Sequence, residues 1–169
     1  TMGVGIAHIA ASAGHQTVIT DTNPVTLSNA KENIEKTFLR LVEKGKVTDV
    51  DAKNILSRLK YSSDLNDFKG SGLIIEAIVE NLEVKQRLFS QLDKIVDANC
   101  VLATNTSSLS ITSIAAGCSK PERLIGVHFF NPAPLMPLVE IIGGITTSAQ
   151  LVNNTKELIT SWGKITVIA

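Results

Sequence analysis

Short apolar runs alternate with segments of helical period along this chain, and that alternation constrains its fold more than any other feature. Leu73, Ile74, Ile75 and Ala77 form a continuous apolar run behind Gly70-Ser71-Gly72, which predicts a strand buried on both faces. Similar strands are expected over 17–20, 100–103, 124–128, 138–142 and 165–168. Between them, apolar residues recur every three or four positions. Leu27, Ala30, Ile34, Phe38 and Leu41 mark a helix over 25–44 that Asn23-Pro24 starts and Gly45 stops. The same spacing predicts an opening helix ended by Gly14, and further helices over 48–59, 81–96, 110–116 and 148–161. Strands and helices in this order predict an α/β fold of the Rossmann-type doubly wound class, with a mostly parallel sheet covered on both faces.

With 169 residues, the chain is expected to form one domain over 1–169, since no repeat, linker or low-complexity tract divides it. Sixteen Lys and Arg balance sixteen Asp and Glu, leaving no net field for a nucleic-acid backbone or an anionic membrane. Neither partner is expected. The longest nearly apolar stretch, residues 2–14, falls short of the roughly 20 residues that span a bilayer. No basic residue stands in the first thirty positions, as a signal peptide would require. Cys100 and Cys118 lack CxxC spacing or nearby His ligands, so neither a disulfide nor a metal site is expected. The expected location is the cytoplasm, or a mitochondrial matrix in a eukaryote.

Met2-Gly3-Val4-Gly5 opens the first helix, and the strand after it ends in Asp21. This is the pattern of the tail of a dinucleotide fingerprint. The glycine lets helix and strand pack closely, the helix N-terminus faces a pyrophosphate, and the acid binds ribose hydroxyls. Only the last glycine, Gly3, is present, and small residues in a packed helix give the same pattern without a ligand. Thr22 and Asn23 supply no Arg for a 2′-phosphate, which favours NAD over NADP.

Four ordered blocks are more specific: Glu76-Ala77-Ile78-Val79-Glu80-Asn81-Leu82-Glu83-Val84-Lys85, Thr104-Asn105-Thr106-Ser107-Ser108-Leu109, Gly126-Val127-His128-Phe129-Phe130-Asn131-Pro132, and Pro137-Leu138-Val139-Glu140-Ile141. Together they resemble the L-3-hydroxyacyl-CoA dehydrogenase family over nearly the whole chain. Leu41-Val42-Glu43-Lys44-Gly45-Lys46-Val47-Thr48 is similar to its bacterial 3-hydroxybutyryl-CoA branch. The resemblance implies NAD-dependent, reversible oxidation of a 3-hydroxyacyl-CoA to a 3-oxoacyl-CoA in fatty-acid or short-chain acyl metabolism.

Removing a hydroxyl proton while hydride leaves the same carbon requires a base that works near neutrality. The resemblance makes His128 that base and Glu140 the carboxylate that orients it. It sets Ser107 beside substrate and nicotinamide and Asn131 near the reacting centre. Gly3, Asp21, Glu80 and Lys85 become cofactor contacts, with Lys85 suited to a ribose or phosphate oxygen. Lys44 aligns with a lysine that contacts a coenzyme A phosphate, and Thr37 stands where some relatives carry serine. Each residue also has a plainer reading: a strand-end histidine, a turn or cap serine, an Asn-Pro turn, or a solvated helix charge.

Two family features are missing from these residues. The first strand and the leading glycines of the phosphate loop would precede Thr1, and a helical C-terminal domain that completes the acyl pocket and the homodimer contact would follow Ala169. The chain is therefore expected to be a portion of a longer dehydrogenase. Two alternatives stay open: a paralogous dehydrogenase of a small hydroxy or sugar acid, and a non-catalytic dinucleotide-binding protein.

Overall fold

A computed structural model describes residues 2–169, and their contacts divide them into two compact units, 3–67 and 68–169. The first unit contains α1 (Met2–Ser12), β1 (Thr17–Thr20), α2 (Pro24–Glu43), α3 (Asp49–Ser57) and β2 (Leu59–Ser62). Its helix ends follow from local chemistry. Asn23 Oδ1 accepts the Val25 N–H at 2.9 Å ahead of Pro24, and Thr48 Oγ1 accepts the Asp51 N–H at 3.1 Å. Gly14 and Gly45 take φ of 99° and 65° just beyond α1 and α2, where a side chain would be strained. β1 and β2 pair in parallel from Thr17↔Leu59 to Thr20↔Ser62. Their core is Ala7, Ile19, Ile34, Phe38 and Ala52, with Leu59 and Tyr61 packed against it.

β2 departs from the sequence reading, which carried a helix through Leu59. Ile55, Leu56 and Leu59 keep helical spacing, but the helix stops at Ser57. From there Leu59 and Tyr61 face the core while Lys60 is exposed, the alternation of a strand.

The second unit carries β3 (Leu73–Glu76), α4 (Leu82–Leu92), β4 (Val101–Thr104), α5 (Ile111–Ala115), β5 (Leu124–Phe129), β6 (Leu138–Gly143), α6 (Ala149–Ser161) and β7 (Ile165–Ile168). Its sheet runs in the order β3-β4-β5-β6-β7. Neighbours joined through a helix are parallel, whereas β5 and β6 are antiparallel. The loop over 130–137 is too short for a parallel crossover, so the chain returns alongside itself. The fold is α/β with parallel-dominated sheets, as the alternation implied, but β3 corrects one expectation. Ile74 and Glu76 are buried while Leu73 and Ile75 are half-buried, so the strand is not covered equally on both faces. β4 and β5 are the strands buried almost throughout. No helix among the described residues is long and apolar enough to cross a membrane.

A buried ion pair fixes the edge of this sheet opposite the carboxyl ends of its strands. Asp93 and Arg123 are in contact, Asp93 Oδ2 accepts the Ser119 N–H at 2.7 Å, and Arg123 also donates to the Asp97 carbonyl at 2.7 Å. Burial pushes the Asp93 carboxyl up, but its Ser119 and Arg123 donors outweigh burial and hold it below the usual carboxylate range. A carboxyl lowered by folding stabilises the fold above its unfolded pKa, and that contribution fades as pH falls through the folded value. Asp93→Asn is therefore expected to cost about 3 kcal/mol at pH 7, the cost of leaving a buried partner charge uncompensated. In urea unfolding curves the gap from wild type should narrow as pH falls below the usual carboxylate range and through the lowered Asp93 value.

Close packing between α4 and α5 generates a second prediction. A Cβ on Gly117 would lie 2.8 Å from the Gln86 carbonyl oxygen, whereas one on Gly143 would meet nothing nearer than 3.4 Å. Gly117→Ala is expected to destabilise the protein by about 2 kcal/mol, against a near-neutral Gly143→Ala, when thermal unfolding of the two is compared.

Candidate functional site

Three parallel strands, β3, β4 and β5, end on the same edge of the five-stranded sheet, the edge at which open α/β sheets collect ligands. A cleft of about 290 Å³ opens there, lined by Ile78, Glu80, Lys85, Asn105, Ser107, His128 and Asn131 among others. Its lining mixes apolar and polar groups, as small-molecule sites do.

His128 and Glu140 face each other because β5 and β6 pair in a register that sets them directly opposite. The imidazole Nδ1 lies 2.8 Å from Glu140 Oε2. With Nδ1–H donating to the carboxylate, Nε2 holds the ring's lone pair. The imidazole is 16% exposed, and the Phe130 ring lies against it at 4.6 Å between centroids.

The other wall of the cleft is organised by charge. Glu76, at the end of β3, is buried, and its carboxylate accepts from Lys85 Nζ at 2.6 Å, the Ile78 N–H at 2.6 Å and Thr104 Oγ1 at 2.7 Å. Lys85, one turn into α4, has a side chain only 1% exposed and lies 3.3 Å from Glu80 Oε2 as well. Asn81 caps that helix by accepting the Val84 N–H at 3.1 Å.

Glu80 in turn collects the loop after β4. Its Oε1 accepts from the Thr106 hydroxyl, from the Ser107 N–H at 3.1 Å and from Ser108 Oγ at 3.2 Å. Burial raises the Glu80 carboxyl, yet Thr106, Lys85 and Ser107 together outweigh it and hold it below the usual range. Asn105 links this loop to β5: its N–H donates to the Glu76 carbonyl at 2.8 Å, and its Oδ1 accepts the Phe129 N–H at 2.8 Å, next to His128.

Six of the residues singled out from the sequence thus have clear surroundings. Glu80, Lys85, Ser107, His128 and Asn131 line one cleft, with Glu140 behind His128, and the Ser107 side chain is exposed on its loop. Asn131 begins the loop whose Ala133 and Met136 carbonyls accept from buried Lys164 at 2.6 and 2.8 Å. The remaining candidates lie in the first unit and line no part of this cleft. Gly3 is in the first turn of α1. Asp21 follows β1 and accepts the Asn23 N–H at 2.8 Å. Thr37 is exposed on α2 and donates to the Asn33 carbonyl at 2.7 Å, and exposed Lys44 ends that helix.

The sequence reading gave no role to Glu76, Thr104, Asn105, Thr106 or Lys164. One signal was available for Glu76: a charged residue at the end of an otherwise apolar strand has to find donors when buried. Among the described residues, no group of three His, Cys, Asp or Glu side chains is placed to hold a metal ion.

Comparison with known proteins agrees with this arrangement. The family model described as "3-hydroxyacyl-CoA dehydrogenase, NAD binding domain" matches residues 1–169. The chain is 45% identical over 164 residues to the 3-hydroxyadipyl-CoA dehydrogenase of Escherichia coli, covering 97% of this chain and 34% of that protein. It is 45% identical over 159 residues to a probable 3-hydroxybutyryl-CoA dehydrogenase of Deinococcus radiodurans, covering 92% of this chain and 57% of that protein. The crystal structure of a 3-hydroxybutyryl-CoA dehydrogenase from Escherichia coli K12 superposes with a TM-score of 0.97 at 45% identity, over 99% of this chain and 36% of that one. The chain therefore spans between about a third and somewhat over half of these curated relatives. Matched by the family model from end to end, and built around the same α/β scaffold, it belongs to the 3-hydroxyacyl-CoA dehydrogenase NAD-binding domain family.

Proposed function

We propose that residues 1–169 act as the NAD-binding domain of an enzyme that interconverts L-3-hydroxyacyl-CoA and 3-oxoacyl-CoA, with short-chain substrates favoured. The observation that carries this reading is the 2.8 Å contact between His128 Nδ1 and Glu140 Oε2 at a cleft on the carboxyl edge of the sheet. Relatives named as 3-hydroxybutyryl-CoA and 3-hydroxyadipyl-CoA dehydrogenases support the substrate class. The cleft suits a nicotinamide, since it offers apolar walls at Ile78 and Phe130 beside polar groups that can orient an amide.

In the oxidative direction His128 Nε2 takes the substrate hydroxyl proton, leaving the alkoxide electrons to form the carbonyl. NAD, when bound, accepts the hydride that leaves the same carbon. Glu140 keeps the imidazole in the tautomer with Nε2 free, and it stabilises the imidazolium that forms. Ser107 donates its hydroxyl to the reacting oxygen and helps orient substrate and cofactor. Asn131 contributes a side-chain amide beside the reacting centre. In reverse, His128 returns its proton to the carbonyl oxygen.

Glu80 and Lys85 serve the cofactor from the cleft wall. The near-complete burial of Lys85 supports an indirect part for it, through the carboxylates it holds. Gly3 and Asp21 are assigned to pyrophosphate and ribose, an assignment supported by the helix start and strand end on which they stand. Thr37 and Lys44 are assigned to coenzyme A, supported by their exposure two turns apart on α2. A homodimer and a cytoplasmic or matrix location complete the reading and rest on the family resemblance.

The test is turnover of acetoacetyl-CoA with NADH by the full-length protein. His128→Gln should lower kcat by at least about 10³-fold and Glu140→Gln by about 10²-fold, while NADH still binds. Full turnover in a folded His128→Gln variant would overturn the assignment.

A further inference from the structure

We infer that Glu76, Lys85 and Glu80 form a charge-counted trio that biases the nicotinamide site toward the oxidised cofactor, with Glu76 acting as the buried group that frees the charge of Glu80. The inference rests on the reading that this cleft receives the nicotinamide end of NAD.

As two carboxylates and one ammonium, the trio carries a net charge of −1. Geometry decides where that charge is felt. The Glu76 side chain is 0% exposed and the Lys85 side chain 1%, with their charged atoms 2.6 Å apart, so these two opposite charges cancel within the protein. Glu80 is 38% exposed and lies farther from Lys85, at 3.3 Å. Its other partners, Thr106, Ser107 and Ser108, are neutral donors that hold the carboxylate in place without removing its charge. Its lowered pKa keeps it ionised across the neutral range. The excess negative charge of the trio therefore resides on Glu80, the member most exposed at the cleft.

The two redox forms of NAD differ in this respect. The oxidised nicotinamide ring is a cation and the reduced ring is neutral, so a fixed anion in a partly desolvated cleft attracts the first and leaves the second almost unaffected. Without Glu76, Lys85 would neutralise Glu80 and the bias would vanish.

The experiment measures affinity and needs no turnover. NADH is titrated into the full-length protein by its own fluorescence, and NAD is titrated in competition, for the wild type, Glu76→Gln and Glu80→Gln. Each variant removes one negative charge and preserves side-chain shape. The ratio of the NAD dissociation constant to that of NADH is expected to rise about tenfold in both. A positioning role alone would weaken both cofactors together, so an unchanged ratio in either folded variant overturns the inference. Should Glu76→Gln fail to fold by circular dichroism, the half-exposed Glu80→Gln decides by the same ratio. A wild-type protein that binds neither form would instead overturn the reading of the cleft, and the inference with it.

Discussion

The carboxylate of Glu76 is the point on which the cofactor side of the cleft depends. A buried carboxylate loses its hydration and has to be repaid in donors, and Glu76 meets that demand with an ammonium, a backbone N–H and a hydroxyl, each within 2.7 Å. Those three donors belong to α4, to the loop after β3 and to the end of β4. Satisfying one charge therefore draws three separate segments to a single place. The backbone of Glu76 adds a fourth by accepting the Asn105 N–H. From there the order spreads outward: Lys85 steadies Glu80, Glu80 gathers residues 106–108, and Asn105 ties that loop to the backbone beside His128.

On the other side, the site depends on strand register. A one-residue slip between β5 and β6 would turn Glu140 to the opposite face and leave His128 without its partner. The register is guarded by apolar neighbours, since Val127, Phe129, Val139 and Ile141 are each buried to within 2% and would be expelled by the same slip. Hydrophobic patterning and the polar pair thus enforce one another. Lys164 adds a clamp on the connecting loop by donating to the carbonyls of buried Ala133 and exposed Met136.

Much of this was legible in the sequence, for identifiable reasons. β1 is legible residue for residue because Thr17 to Thr20 is β-branched throughout and is followed by a cap and a proline. Each helix of the second unit was found near its true start, because Asn81, Ser110 and Ser148 are side-chain caps at the head of apolar periods. β2 was hidden, since three apolar residues at helical spacing ran directly into it. Within the site, the resemblance pairs His128 with Glu140, but the antiparallel return that joins them follows from loop length and is written in neither block. Glu76 and Asn105 stood inside the quoted motifs without a role, because their partners are distant in sequence: Thr104 lies 28 residues from Glu76, and Phe129 lies 24 from Asn105. Periodicity reports which face is buried and is silent about which polar groups meet there.

Three carboxylates around one cleft also illustrate how environment divides labour among identical groups. Glu76 is fully enclosed and saturated with donors, one of them a cation, so its charge is spent inside the protein. Glu80 has several donors but a share of solvent, and its pKa is lowered by them, which suits a permanent anion at the wall of a site. Glu140 is one-third exposed and directed at a single imidazole nitrogen, where its charge is available when that ring gains a proton. The proposed reaction creates positive charge at His128 in one direction and consumes the positive charge of the oxidised nicotinamide in the same step. In that proposed step Glu140 stabilises the charge gained at His128, whereas an anion at Glu80 would favour the oxidised ring and so favour the reverse direction. The two anions accordingly stand on different elements, Glu140 in the β5–β6 register and Glu80 at the Glu76 hub, and Asn105 ties the one side to the other.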